Sequence, residues 1–164
     1  MTRAAREQHE QHEPLSEAVS HLLEECRMVL PGIQALFGFQ LVAVFNQVFW
    51  DRLEASDRFC HFAAIALVAL SIVLVMTPAA YHRQAEPEAV SRNFVILSTR
   101  VLFWSMFPLM TGILIEFFVI TRLIFSSVWV AVSSAVLLGL IFVLFWFALP
   151  RRADLQRLIR KARV

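Results

Sequence analysis

The residue best placed for chemistry in this sequence is Glu116, an acidic side chain inside a long apolar run. Ionisable groups at membrane depth are costly to bury and usually mark function. The functional interpretation of Glu116 is therefore a site that binds a proton or a cation. The alternative is a purely structural ion pair with an arginine at the same end of the apolar runs, for which the candidates are Arg52, Arg58 and Arg122.

Amide side chains form a second polar group, in the first apolar run. Gln40 and Gln47 are seven residues apart and would share one helical face at ~100° per residue, whereas Gln34 and Asn46 point elsewhere. An ion or proton pathway would use Gln40, Gln47 and Glu116, but it needs a continuous polar stripe that is only partly present. Hydrogen bonds between helices are the other explanation of these amides.

A third polar group is predicted where the first two apolar runs reach the cytoplasmic boundary. Its members come from both sides of Pro31-Gly32 and from the end of the second run: Glu25, Arg27, Gln34, Tyr81, His82 and Arg83. Such a cluster could bind an anion or a lipid headgroup. It could equally act as a structural clamp between helices.

No catalytic or cofactor motif accompanies these groups. The sequence lacks H-E-x-x-H, G-x-S-x-G and a glycine-rich phosphate loop. His21, His61 and His82 lie at the edges of the apolar runs, and no two share a run at helical spacing, so haem is not expected. We therefore expect neither enzymatic activity nor a cofactor nor a metal site.

The apolar runs that must position these residues are long enough to cross a membrane. The chain is 59% hydrophobic, and a helix needs about 20 apolar residues to span ~30 Å of hydrocarbon. Four segments qualify: about residues 28–50, 59–81, a third that begins at Phe94 or Val101 and ends at Thr121, and 124–149. The joint between the last two consists only of Arg122 and Leu123, which predicts a tight hairpin. The fold class is therefore an all-α membrane protein, a bundle of four transmembrane helices.

The distribution of cations predicts the orientation of this bundle. Twelve of the 15 arginines and lysines lie in the N-terminal segment, the second joint and the C-terminal tail, and three lie in the other joints. Cytoplasmic loops carry the excess of positive charge. Both termini are therefore expected in the cytoplasm.

The chain ends are predicted to be separate from the membrane domain, residues 31–149. Residues 1–14 form a polar tail that we expect to be disordered, and residues 15–30 have the apolar spacing of an amphipathic helix on the cytoplasmic surface. Pro31-Gly32 is expected to interrupt the helix and hinge it to the first span.

The C-terminal segment, residues 150–164, is basic and amphipathic. Its six cations are Arg151, Arg152, Arg157, Arg160, Lys161 and Arg163. A basic segment beside a membrane span is typical of binding to anionic lipid headgroups. Nucleic acid is not expected as a partner, because no aromatic-basic platform is present.

Small residues indicate where the helices pack. Ser127, Ala131, Ala135 and Gly139 recur every four residues in the fourth run, and Ser98, Ser105 and Gly112 every seven in the third. Helices in lipid associate through such residues because the backbones can approach closely. The contacts could lie within one chain or between copies in a homo-oligomer.

Two stretches carry a resemblance to a known family. Residues 25–41 (ECRMVLPGIQALFGFQL) and 78–83 (PAAYHR) resemble the E-x-R-x-x-x-x-G-x-Q and A-Y-H-R motifs of an uncharacterised family of small bacterial four-helix membrane proteins. The resemblance implies a bacterial inner-membrane protein and singles out the same boundary cluster, but it implies no activity. Gln40 and Glu116 look like departures from the family pattern.

Two functional hypotheses follow. The first is a structural or accessory protein whose helices and cytoplasmic ends dock onto a membrane complex or onto lipid. The second is a small homo-oligomeric channel or transporter, since four helices alone enclose too little room for a pore. An intramembrane enzyme or redox carrier is the least supported class.

Overall fold

The computed structural model describes residues 3–85 and 91–152, and within these residues every regular element is a helix. A π-helical segment follows α5, and the helix then continues to Arg152. The elements are α1 (Arg3–Ala43), α2 (Gln47–Arg52), α3 (Ala55–Ala85), α4 (Arg92–Phe125), α5 (Val128–Phe142) and the π-helical segment (Val143–Ala148).

Four of these helices are long and apolar enough to cross a membrane. The qualifying stretches are Val19–Ala43, Ala55–Gln84, Arg92–Phe125 and Val128–Arg152. The prediction of four membrane-length helices is confirmed. Consecutive spans run antiparallel, so α2 and the α4–α5 turn lie at one end, called here the turn face. The beginnings of α1 and α4 and the end of the fourth span lie at the other end, the terminal face.

The predicted hinge at Pro31-Gly32 is wrong, because α1 continues through both residues. An interior proline removes one backbone hydrogen bond, a loss that apolar helices tolerate when their surroundings compensate for it. The helix already begins at Arg3, whereas the sequence predicted disorder over residues 1–14 and a separate helix over 15–30. Residues 3–14 are rich in Ala, Glu, Gln and Arg, which favour helix.

The first span ends earlier than predicted. The helix stops at Ala43, and Asn46 then caps α2 by accepting the Val48 N–H on its side-chain oxygen at 3.0 Å. The Trp50 indole N–H donates to the carbonyl of Val44 at 2.9 Å. These bonds turn the chain before Gln47, so Gln47 does not continue the face of Gln40.

The tight hairpin between the last two spans is present, but it lies four residues later than predicted. α4 continues to Phe125, and the turn is Ser126-Ser127. Ser126 has φ 51° and donates its N–H to the Arg122 carbonyl at 2.9 Å. A left-handed residue is a common way to end a helix.

The core lies between α3 and α4, and α1 packs against both of these helices. Buried residues of α3 recur in an alternating four-three spacing: Asp57, His61, Ala64, Val68, Ser71, Val75 and Pro78. This spacing is typical of helices that pack as a left-handed pair. On α4 the predicted small residues Ser98, Ser105 and Gly112 are buried. A Cβ on Gly112 would lie 3.0 Å from Val68 Cγ2 and 3.1 Å from the Ala64 carbonyl, so this contact lies within the chain.

The fourth span packs chiefly on α4, through its own small residues. Ala131 is fully buried, and a Cβ on Gly139 would lie 3.3 Å from Leu114 Cδ1. The rest of this helix exposes large apolar side chains such as Leu137 and Leu140. Apolar exposure on this scale is what a helix facing lipid requires.

Candidate functional site

Three helices each place one polar side chain at the same depth, near the turn face. Gln40 lies in the last turn of α1, His61 in the second turn of α3 and Glu116 in the second half of α4. Gln40 is 3% exposed and His61 is 2% exposed. The Glu116 side chain is 15% exposed. The three groups meet in the core.

The local sequence explains why these side chains face inward. Gln40 ends a series of buried α1 residues that are seven apart: Val19, Cys26, Ile33 and Gln40. His61 occupies one position of the four-three repeat on α3, and Glu116 follows Gly112 by one turn. Each polar residue therefore takes a position that packing reserves for the core.

His61 links the other two residues. Its Nδ1 lies 3.0 Å from both Oε1 and Oε2 of Glu116, and its Nε2 lies 3.1 Å from the backbone carbonyl of Gln40. The Gln40 amide Nε2 donates to Glu116 Oε2 at 3.3 Å. This set of contacts, called here the Gln–His–Glu triad, ties α1, α3 and α4 together.

The partners of His61 limit which placements of hydrogen atoms satisfy every contact of the pair. Both ring nitrogens face oxygen acceptors, and a neutral imidazole carries only one N–H. Two arrangements satisfy every contact: an imidazolium beside a carboxylate, or a protonated carboxyl donating to Nδ1 while Nε2–H donates to Gln40. Both have the same number of protons and no net charge.

The triad is shielded by Phe49 and borders a small cavity. The rings of Phe49 and His61 lie 5.0 Å apart at 62°. Phe49, His61 and Glu116 line a cavity of about 170 Å³, together with residues such as Asn46 and Leu53. Oε1 of Gln40 is buried without a hydrogen-bond partner among the described residues.

Two of the three arginines expected to pair with Glu116 have other partners, and among the described residues Glu116 contacts His61 instead. Arg122 binds Glu54 at 2.8 Å and the buried Asp57 at 3.1 Å, and Arg58 lies over the Trp50 ring at 5.4 Å. Oδ1 of Asp57 is close to Arg122 without hydrogen-bond alignment, so this contact is electrostatic. The alternative of an ion pair between Glu116 and an arginine is therefore wrong, and the basic groups cluster one layer nearer the turn face.

A comparison with protein families matches residues 8–150 to DUF6328, described as a family of unknown function. The chain belongs to the DUF6328 family. The match includes all three triad residues, the first three membrane-length helices and the fourth up to residue 150. No curated protein matches the chain. A search of the solved structures likewise gives no match.

Of the three residues predicted to line a pathway in this DUF6328 chain, the structure brings two together. Gln40 and Glu116 are in contact, whereas Gln47 is exposed in the first turn of α2. Sequence reasoning missed His61 because it lies near the start of its apolar run. The four-three spacing of small and apolar residues from His61 to Val75 is the signal that would have placed it on the buried face.

The boundary cluster is not assembled as one site. Glu25, Arg27 and Gln34 are exposed, because α1 turns Cys26 and Ile33 inward instead. At the end of α3, the rings of Tyr81 and His82 pack against Phe94 of α4 at 5.8 and 5.5 Å. Arg83 is exposed. These aromatic contacts join α3 to α4 at the terminal face and do not involve the polar residues of α1.

The basic C-terminal residues are described only in part. Arg151 and Arg152 are exposed at the end of the fourth span. The remaining four lie outside the described residues: Arg157, Arg160, Lys161 and Arg163. Within the described part of the chain, no three His, Cys, Asp or Glu residues are grouped so that they could hold a metal ion.

Proposed function

We propose that this DUF6328 member is a multi-pass protein of the bacterial cytoplasmic membrane with both termini in the cytoplasm. Its four membrane-length helices support the embedding. The excess of arginine and lysine at the terminal face supports the orientation. The terminal face then meets the cytoplasm, and the Gln–His–Glu triad lies in the outer half of the membrane.

Its role in this proposal is structural or accessory: the bundle docks onto a larger membrane complex or onto lipid, and it has no catalytic activity. This role is supported by the contacts of the Gln–His–Glu triad, which are made between helices of the bundle itself. Both His61 nitrogens and both Glu116 oxygens contact neighbouring helices of the same chain. Polar groups that are satisfied in this way hold helices together instead of lining a passage.

The partners proposed are lipids with anionic headgroups, a membrane complex or further copies of the chain, and no nucleic acid. The exposed Arg151 and Arg152 continue into the basic C-terminal segment. Each such cation near an anionic membrane surface contributes about 1 kcal/mol of attraction. Docking through the cytoplasmic end would therefore weaken as salt concentration rises.

The test compares the full chain with a variant that ends at Arg152, both extracted from native membranes in a mild detergent. Native electrophoresis should show the full chain in a larger assembly and the shortened chain released from it. The melting transition of the membrane domain should be the same in the two proteins. A full chain that migrates at the size of its own detergent-bound monomer would reject the accessory role.

A second candidate function is a proton or small-cation pathway in a homo-oligomer. The cavity of about 170 Å³ beside His61 and Glu116 favours this function, because a cavity there provides space for water next to ionisable groups. Purified protein in liposomes should then conduct protons, and Glu116→Gln should abolish the flux. No flux from a verified oligomer would reject the pathway, and flux unchanged by the substitution would remove Glu116 from it.

A further inference from the structure

A cavity of about 510 Å³ lies at the terminal-face end of the bundle. α1 supplies one wall, α4 the floor and Trp146 of the π-helical segment part of the opposite wall. The size falls within the ~300–1,000 Å³ of typical ligand sites. The cavity is separate from the triad, which lies toward the other end of α1 and α4.

The packing of the helices explains why this space is open. α1 packs chiefly on α3, whereas α5 packs on α4, so the first and fourth spans separate on either side of α4. In the π-helical segment, Phe147 inserts between Phe103 and Phe107 at ring distances of 5.8 and 4.8 Å. A π-helical turn changes the register of the side chains that follow it. Phe147 thus closes the aromatic core while its neighbour Trp146 faces the cavity.

The chemistry of the lining changes along its length. The deep part is apolar, with Ile33, Leu102 and Leu109. The end nearest the terminal face is polar and is formed by His21 and Glu25, which are one helical turn apart on α1. Water is a poor occupant of the deep part, because it would find few hydrogen-bond partners there. An empty space would forfeit the dispersion contacts of its lining. A suitable occupant is apolar over most of its length and polar at one end.

The length of the cavity matches one leaflet of a membrane. Its lining on α4 runs from Thr99 to Leu109, which corresponds to ~15 Å at ~1.5 Å per residue. Half of the ~30 Å hydrocarbon core is also ~15 Å. An acyl chain that enters from the terminal face would therefore reach the end of the cavity near the membrane centre.

The polar end selects the headgroup. Glu25 is exposed and makes no hydrogen bond or ion pair among the described residues. Arg27 is two residues away, a separation at which side chains do not face each other on a helix. An ionised carboxylate only accepts hydrogen bonds, so it is complementary to a headgroup that carries a primary ammonium.

We propose that this cavity binds one acyl chain of an aminophospholipid, with the headgroup ammonium against Glu25. The site is on the terminal-face leaflet, which is the cytoplasmic leaflet in the proposed orientation. The inference rests on the membrane embedding proposed above and is independent of the accessory role. It assigns a specific lipid to a site that the triad does not use.

Trp146 provides a direct test, because it lines the cavity while the other tryptophans are exposed. A full-length variant that keeps only Trp146 (Trp50, Trp104 and Trp129→Phe) is placed in phosphatidylcholine nanodiscs. Phosphatidylethanolamine or phosphatidylglycerol with brominated acyl chains is then added at equal mole fractions, and fluorescence quenching is measured. The brominated phosphatidylethanolamine should quench at about threefold lower mole fraction, the change expected of one partly exposed charge contact.

Two matched variants assign the effect to the site. Glu25→Gln should remove the preference, whereas Glu24→Gln, a neighbouring exposed acid that does not line the cavity, should leave it unchanged. A variant whose only tryptophan is the exposed Trp104 should be quenched equally by both lipids. Its quenching reports membrane insertion independently of the cavity. Val29→Phe, which fills the cavity from a half-exposed position, should also remove the preference without loss of helix content.

Three results would overturn the proposal. Equal quenching of Trp146 by the two lipids would mean that bulk lipid fills the groove without selection. A preference that survives Glu25→Gln would remove the headgroup contact. Protection of Trp146 from both lipids in a crosslinked dimer would show that a second copy covers the cavity. In each case normal quenching of Trp104 would leave the proposed membrane embedding intact.

Discussion

Nδ1 of His61 lies 3.0 Å from both carboxylate oxygens of Glu116, and this contact joins α3 to α4 near the turn face. The same ring contacts the Gln40 carbonyl through Nε2, so one imidazole holds three helices. An apolar environment strengthens such contacts and makes an unpaired member costly. The stability of the bundle should therefore depend on His61 and Glu116 together.

A double-mutant cycle with His61→Ala and Glu116→Ala measures this dependence. The two losses should be non-additive, with a coupling free energy of about 0.6–1.7 kcal/mol, the range found for polar contacts between membrane helices. Denaturant unfolding in detergent provides the measurement. The control is the cycle of Arg122→Ala with Glu54→Ala, an ion pair with an exposed acid, which should give ~0.5 kcal/mol or less. Additive losses at His61 and Glu116 would contradict the triad.

Gly112 should tolerate no side chain. A Cβ there would lie 3.1 Å from the backbone carbonyl of Ala64, which cannot move without shifting α3. Gly112→Ala should lower the free energy of unfolding by about 1–3 kcal/mol, as overpacking does in dense cores. Gly38→Ala is the matched control: nothing lies within 4 Å of its added Cβ. That variant should be neutral or gain up to ~1 kcal/mol from helix propensity. Similar losses for both variants would contradict the close approach of α3 and α4.

Spin labels test the continuity of α1 through Pro31. Labels at the exposed positions Glu24 and Phe39 are 15 residues apart on one helix, so their backbones should be separated by ~22 Å at ~1.5 Å per residue. Double electron–electron resonance should give one narrow distance distribution. Pro31→Ala should leave its mean within the width of the distribution. A broad distribution that narrows in Pro31→Ala would instead support the hinge predicted at Pro31-Gly32.

Single cysteines test the proposed orientation. In a background with Cys26→Ala and Cys60→Ala, a cysteine replaces either Arg52 at the turn face or Arg152 at the terminal face; both positions are exposed. A membrane-impermeant maleimide applied to intact cells should label position 52 at once. Position 152 should react only after the cells have been permeabilised. Reversed labelling would invert the orientation, and labelling of both positions in intact cells would indicate a mixed topology.

The sequence predicted the helices well because a helix in lipid is largely a local structure. Its backbone hydrogen bonds are satisfied within the segment, so a sufficiently long apolar run determines a span. The small residues on α4 and α5 were also found, because close approach requires small side chains at regular spacing. Gly112 and Ala131 both lie in contacts that the spacing predicted.

Helix ends were predicted less well. The apolar run continues past Ala43, although the helix ends at this residue. The apolar run also includes Pro31, and there the helix continues. The stop depends on a specific turn with Asn46 as cap, whereas the continuation at Pro31 depends on how well its surroundings accommodate one lost hydrogen bond. Neither is visible in composition, and the error at Ala43 also placed Gln47 on the wrong face.

The sequence by itself determined that this protein has four membrane-length helices and which small residues bring them together. Only the tertiary structure decided that Gln40, His61 and Glu116 meet, while Glu25 and Arg27 remain apart from Tyr81 and His82. The physical reason is geometric: a shift of one residue turns a helical side chain by ~100° and moves it by ~1.5 Å. Contacts between helices therefore depend on rotation and axial offset, which packing of the whole bundle fixes.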